Sequence, residues 1–198
     1  MRGLPPVTRA LLVACVIGFL LQRLTDDRLI ESFALWPLDG DRLAPDFQSW
    51  QLVTYAFLHG SFGHLAFNGL ALYMFGPEVE RLLGPWRYVA YWFTCVIGAA
   101  VTQLVVMRVM GTPPIPTVGA SGGIFGLLLV FGLAWPRRRL MLLFPPIPMP
   151  AWLFVTLYGL LELFLGITGT QQGVAHFAHL GGMVAGFLLT LYWRLRKA

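Results

Sequence analysis

Gly119-Ala120-Ser121-Gly122-Gly123-Ile124-Phe125-Gly126-Leu127-Leu128-Leu129-Val130-Phe131-Gly132-Leu133-Ala134-Trp135-Pro136-Arg137-Arg138-Arg139 sets one hydroxyl among residues with almost no side chain. An apolar run follows, and it stops at a tryptophan, a proline and three arginines. As a helix, Gly122 to Trp135 is about 21 Å long, against a bilayer hydrocarbon core of about 30 Å. With Trp135 and the arginines held at one interface, Ser121 starts roughly 9 Å inside the other. The glycines admit two readings: they let helices approach closely, or they bare the Ser121 oxygen and nearby amides for chemistry. The string also fits the nucleophile-elbow pattern of soluble hydrolases. That pattern needs a preceding strand, and Pro113-Pro114-Ile115-Pro116 supplies none.

The rest of the chain agrees with a membrane setting. Of its 198 residues 57% are hydrophobic and 12% charged, and the mean hydropathy of +0.70 belongs to a polytopic membrane protein. Six apolar runs stand out, Arg9 to Leu24, Phe62 to Phe75, Tyr88 to Met107, Gly122 to Trp135, Trp152 to Ile167 and Val174 to Trp193. Each is expected to be a helix, because a backbone in lipid must satisfy itself. The first reads as an uncleaved span rather than a signal peptide, since no small-residue cleavage site follows it. Arg2, Arg9, Arg81, Arg87, Arg137 to Arg139, Arg194, Arg196 and Lys197 fall on one side, and Arg28, Arg42 and Arg108 on the other. The positive-inside rule then places both termini in the cytoplasm. The net charge of +5 is explained by this topology, and no interleaved aromatic patch indicates nucleic acid. Cys15 and Cys95 lie inside apolar runs and read as small buried hydrophobes. Residues 1–198 are expected to form a single bundle.

Polar residues enter three of these runs near their starts. His64 and Asn68 are four apart and share a helical face, with His59 five residues earlier as a loop-packing or capping residue. His176 and His179 open the sixth run, where Gly182 and Gly186 recur at the spacing of Gly122 and Gly126, so the two helices can pack backbone to backbone. The second, fourth and sixth runs travel the same way, which puts these residues at similar depth. His179 lies six residues after Gly173, again roughly 9 Å. A neutral histidine at that depth can take the Ser121 proton. His64 and Asn68 can stabilise an oxyanion together with the Ser121 backbone N–H. Glu162, the sole carboxylate inside an apolar run, reads as structural rather than as part of a proton relay. No Asp or Glu is assigned to the depth of His179, so the expectation is a dyad and not a triad. No metal and no cofactor are expected, because the four histidines come with no inward carboxylate or cysteine cluster.

Other segments carry weaker signals. Gly76 to Gly84 reads as a charged turn that tethers one end of the second helix. The connection Thr25 to Gln51 mixes acids (Asp26, Asp27, Glu31, Asp39, Asp41, Asp46) with Phe33, Trp36, Phe47 and Trp50, as a segment in the membrane interface would. The loop Gly166 to Gly173 is polar and glycine-rich and reads as a lid, with the fifth helix as a side gate.

Taken in order, these motifs resemble the rhomboid intramembrane serine proteases of the basic six-helix type, over nearly the whole chain. Gly119 to Gly122 is similar to that family's Gly-x-Ser-Gly at the start of the fourth helix. His179 with Gly182 and Gly186 resembles its catalytic histidine and glycines, which favours His179 over His176. His59, His64, Asn68 and the Gly-Pro-Glu-x-Glu string also match. The resemblance implies an all-α membrane protein, a six-transmembrane-helix bundle of the bacterial inner membrane with its active site opening outward. It implies Ser121 and His179 as the catalytic pair, transmembrane proteins as substrates and the bilayer as partner. The alternative is a catalytically silent rhomboid-like protein that binds or escorts membrane clients. Such proteins typically lack the serine or the histidine, and both are present here. A transporter would show repeated halves or paired intramembrane charges, and neither is found.

Overall fold

All six apolar runs are helical in the computed structural model, which describes residues 3–25, 28–38, 45–111, 115–141, 146–169 and 173–195. The helices are α1 (Pro6–Leu24), the short α2 (Arg28–Phe33) and α3 (Gln51–Thr54), then α4 (Phe62–Leu83), α5 (Pro85–Met110), α6 (Ser121–Ala134), α7 (Ala151–Thr168) and α8 (His176–Leu195). Among the described residues α1, α5 and α7 are each long and apolar enough to cross a membrane, and α6 is a shorter apolar helix. The fold is therefore all-α, apart from a small antiparallel ribbon of β1 (Arg139–Met141) and β2 (Pro148–Pro150) between α6 and α7. From sequence the proline-rich stretch Pro145 to Pro150 is expected to lead into the fifth helix; Pro145 lies outside the described residues, Pro148 to Pro150 pair in that ribbon, and with Pro150 held extended the helix starts at Ala151.

α6 is the centre of the bundle. It is apolar all round, buried along most of its length, and touches α4, α5, α7 and α8, as a helix without a polar face must. Close approach is possible because the facing positions carry no side chain. A Cβ on Gly182 of α8 would collide with the Gly122 carbonyl of α6, one on Gly126 with Cys95 of α5, and one on Gly186 with the Tyr91 hydroxyl. The Tyr91 hydroxyl donates to the Gly126 carbonyl at 2.8 Å, and this bond ties α5 to α6 halfway down.

At the end remote from Ser121 the string Gly76 to Gly84 differs from expectation. It is not a turn: α4 runs through Pro77 to Leu83 and stops at Gly84, whose φ is +77°. What makes the extension worthwhile is Glu80, buried, whose carboxylate accepts from the Val7 N–H (3.0 Å), the Thr8 N–H (2.7 Å) and the Thr8 hydroxyl (2.7 Å). These are the otherwise unpaired first amides of α1, so α4 caps α1 and fixes its start.

The first connection folds back on the bundle. Ala34, Leu35 and Trp36 are buried while Trp50 is half exposed. Leu35 and Thr117 exchange both backbone hydrogen bonds (3.0 and 2.9 Å), and the Gly119 N–H donates to the Tyr55 carbonyl at 2.9 Å. The segment before Ser121 is thus pinned on two sides. Arg2, Asp26, Asp27, Asp39, Asp41, Arg42, Pro113, Pro114, Pro145, Arg196 and Lys197 lie outside the described residues.

Candidate active site

Ser121 is the first residue of α6, reached through Ala120 in helical geometry and Gly119 at φ +123°. That backbone conformation favours glycine, and a Cβ on Gly119 would stand 2.6 Å from His64 Cε1 and Nε2 and 3.4 Å from Asn68 Nδ2. Gly119 therefore lies against the α4 polar pair rather than in a helix–helix seam. His64 itself is set by an N-cap, since the Ser61 Oγ accepts from the His64 N–H at 3.0 Å. Asn68 follows one turn later, is buried, and its Nδ2 has no hydrogen-bond partner among the described residues. A buried amide donor without a partner is costly, and here it faces the segment that carries Ser121.

His179 of α8 reaches across to that serine. Its Nε2 stands 2.8 Å from Ser121 Oγ, a hydrogen-bond distance for a nucleophile and its base. The imidazole is clamped flat against the Phe125 ring, with centroids 4.3 Å apart and planes 6° apart. Phe125 in turn stacks on Tyr158 of α7 at 5.3 Å. Ser121 and Phe125 are four apart on α6, so one face of that helix presents both the hydroxyl and the ring that orients its partner.

The second face of His179 meets a carboxylate. Glu162 Oε2 lies 2.7 Å from His179 Nδ1 and 2.7 Å from His176 Nδ1, and all three side chains are buried. This overturns the expectation that no Asp or Glu shares the depth of His179. Counting back from Thr168 at the end of α7, Glu162 is six residues in, about 9 Å, the depth already assigned to Ser121 and His179.

The ordered set of motifs, on a bundle that brings Ser121 and His179 into contact, is matched by the Rhomboid domain family profile over residues 46–196. The chain belongs to the rhomboid family. It is 28% identical to rhomboid protease GlpG of Klebsiella pneumoniae subsp. pneumoniae over 206 residues, which covers 96% of this chain and 66% of GlpG. It is 29% identical to rhomboid protease GluP of Bacillus subtilis over 150 residues, 75% of this chain and 27% of GluP. It is also 29% identical to mitochondrial Rhomboid protein 1 of Saccharomyces cerevisiae over 155 residues, 72% of this chain and 41% of that protein. The chain thus spans less than two thirds of the length of each of these relatives, and family and apolar helices together make it an integral membrane protein.

Two further expectations for this rhomboid change with the geometry. No metal was expected for want of an inward carboxylate, yet Glu162 is one, and ligand atoms of Glu162, His176 and His179 lie within 4.8 Å of one another. The spacing inside that cluster is that of hydrogen bonds. Two ligands of one tetrahedral zinc, each about 2.0 Å from it, stand about 3.3 Å apart, whereas Glu162 Oε2 is 2.7 Å from each Nδ1. The expected lid also begins later than Gly166, which is still inside α7. The helix ends at Gly169 with φ +63°, and Thr170 to Gln172 lie outside the described residues.

His59 takes a loop-packing position. Its backbone exchanges two hydrogen bonds with the Gln22 amide (2.9 and 3.1 Å), and its ring sits edge-on to His64 at 5.1 Å. Burial and the neighbouring His64 push the His59 imidazole down to about 4, so it is neutral at pH 7. Beside it, a cavity of about 320 Å³ between α1 and the Pro116 to Val118 segment reaches Gln22 and Arg23.

Proposed function

We propose that this rhomboid is an intramembrane serine endopeptidase that cleaves membrane-anchored proteins in or near their transmembrane segments. What carries the reading is the 2.8 Å contact between Ser121 Oγ and His179 Nε2 inside a buried, apolar bundle. Ser121 Oγ attacks the scissile carbonyl carbon while His179 Nε2 takes its proton. The resulting oxyanion is held by the Ser121 backbone N–H, His64 and Asn68. Collapse breaks the C–N bond, and His179 returns the proton to the departing amine. Water then attacks the ester with His179 again as base, which releases the new carboxyl end and restores Ser121. Helices α1, α4, α5, α6, α7 and α8 span the bilayer with the arginine-rich end in the cytoplasm, and the site opens to the outer side. Residues 1–198 act as one rhomboid domain.

The purified protein in liposomes should react with a fluorophosphonate probe and cleave a transmembrane peptide. Ser121→Ala should abolish both and leave the melting temperature near that of the native chain, since only a hydroxyl is removed. His179→Ala should slow both at least a hundredfold, whereas His176→Ala should retain much of the activity. Substantial cleavage by the Ser121→Ala protein would sink this assignment, and a reversed order of the histidines would mean a different base.

A further inference from the structure

An ionised carboxylate accepts hydrogen bonds and cannot donate them. Glu162 Oε2 has an imidazole Nδ1 at 2.7 Å on each of two sides, so each of these rings must bring the proton. His179 then carries its hydrogen on Nδ1 and leaves the Nε2 lone pair facing Ser121 Oγ at 2.8 Å. That is the tautomer a general base needs; the opposite one would aim an N–H at the serine and leave it no acceptor for its proton. A neutral Glu162 would have to donate to one of the two rings. If that ring were His176, its own proton would move to Nε2, which is buried without a partner among the described residues, leaving an orphan donor. If it were His179, the base would be in the wrong tautomer.

We propose that Glu162 is a positioning residue for His179, which makes the reacting array a Ser121–His179–Glu162 relay rather than a bare dyad, with His176 donating to the same carboxylate oxygen. This rests on the reading that Ser121 and His179 are the reacting pair. Glu162 does two things: it fixes the tautomer and aim of the ring, and it places a negative charge beside the imidazolium that forms as Ser121 attacks. In a buried site that charge is worth more than it would be in water. His176 contributes from the other side. By donating to the lone pair that His179 does not use, it keeps the carboxylate from swinging away.

The test is the rate at which a fluorophosphonate probe labels the full chain in liposomes, resolved into the binding constant and the maximal labelling rate. For Glu162→Gln the maximal rate should fall at least tenfold with the binding constant unchanged within twofold and the melting temperature within a few degrees. The downfield imidazole N–H proton resonance expected of a histidine bonded to a carboxylate should be present in the native and Ser121→Ala proteins and lost in Glu162→Gln. In the His179→Ala background Glu162→Gln should cost nothing further, because a positioning residue has nothing left to position. Labelling of Glu162→Gln at the native maximal rate overturns the proposal. So does a loss that is additive with His179→Ala, which marks a purely structural group. Inhibition of the native protein by added zinc that Glu162→Gln relieves, with unchanged labelling in the absence of zinc, makes the cluster a metal site and overturns it as well. Failure here is distinct from failure of the protease reading. If Ser121→Ala still labels, the reacting pair itself is wrong; if Ser121→Ala is silent while Glu162→Gln is native, only the role of Glu162 falls.

Discussion

Asn68 Nδ2 is a buried donor with nothing to donate to among the described residues, as the proposed role of donating to a substrate oxyanion beside Ser121 requires. His64 shares that position through its contact with Gly119. Removing a preorganised oxyanion donor typically costs about 2.7 to 4 kcal/mol of transition-state stabilisation. His64→Ala and Asn68→Ala are therefore each expected to lower kcat for a transmembrane peptide about a hundredfold or more with KM nearly unchanged. Equal kcat with a raised KM would make them substrate contacts instead. At this scale the sequence made legible which residues meet: Ser121 among glycines that admit either packing or chemistry, His179 through the resemblance carried by Gly182 and Gly186, and His64 and Asn68 through their spacing on one helical face. Glu162 was visible but its depth was misjudged, because it stands alone in an apolar run and its partners lie fourteen and seventeen residues away. The same count of about 1.5 Å per residue that set the depth of Ser121 also sets that of Glu162, once it is made from the far end of α7. Phe125 carried no signal of its own, since a phenylalanine in an apolar helix looks the same whether it meets lipid or clamps an imidazole.

The helices hold the site because α6 and α8 meet through backbone. Gly182 is three residues beyond His179, and its added Cβ would strike the Gly122 carbonyl, one residue beyond Ser121. A backbone atom cannot step aside as a side chain can, so Gly182→Ala should force the two helices apart. The expected cost is about 1 to 3 kcal/mol of stability, the usual range for overpacking, and labelling of Ser121 should fall with it because the 2.8 Å contact spans the same seam. Gly159→Ala on α7 is the control. Its Cβ would meet only the flexible end of Met183, at 3.5 Å, and alanine favours a helix over glycine. A thermal melt in detergent that ranked Gly182→Ala at or above Gly159→Ala would refute this account of the packing. The elements themselves were readable as apolar runs, and their ends were not. α4 overran its expected stop because buried Glu80 caps α1, and the proline-rich lead-in to α7 is not helical because Pro148 to Pro150 pair as a strand, so the helix begins only at Ala151. Both corrections depend on contacts between segments distant in sequence, which no local pattern records.

On the scale of the whole molecule, α7 is fastened at one end. The Ala151 N–H donates to the Arg138 carbonyl at 2.8 Å and the Trp152 N–H to the Pro136 carbonyl at 3.1 Å. Its buried residues are Ala151, Val155 and Glu162, while Leu160, Phe164 and Ile167 are exposed. Beyond Glu162 no residue of this helix is buried among the described residues, which fits the proposal that its far end is the side gate. A transmembrane substrate must reach Ser121 from the side, and a small soluble probe need not. Motion of α7 away from α4 would admit the substrate and would also draw Glu162 from His179, so the site would be complete only when the helix returns. Cysteines are to be placed at Phe67 on α4 and Phe164 on α7, both exposed, and treated with a bismaleimide; Cys15 and Cys95 are buried and should be spared. Crosslinking should slow cleavage of a transmembrane peptide in liposomes at least tenfold and leave fluorophosphonate labelling of Ser121 at its native rate. If the crosslinked protein cleaves the peptide as fast as the free one, α7 is not the gate, and the way in runs past the segment that joins α1 to α4. If labelling also fails, the crosslink has distorted the site, and the same measurement is repeated with a longer linker. Restored labelling with cleavage still slow would then locate the restriction in the path of the substrate rather than in the chemistry.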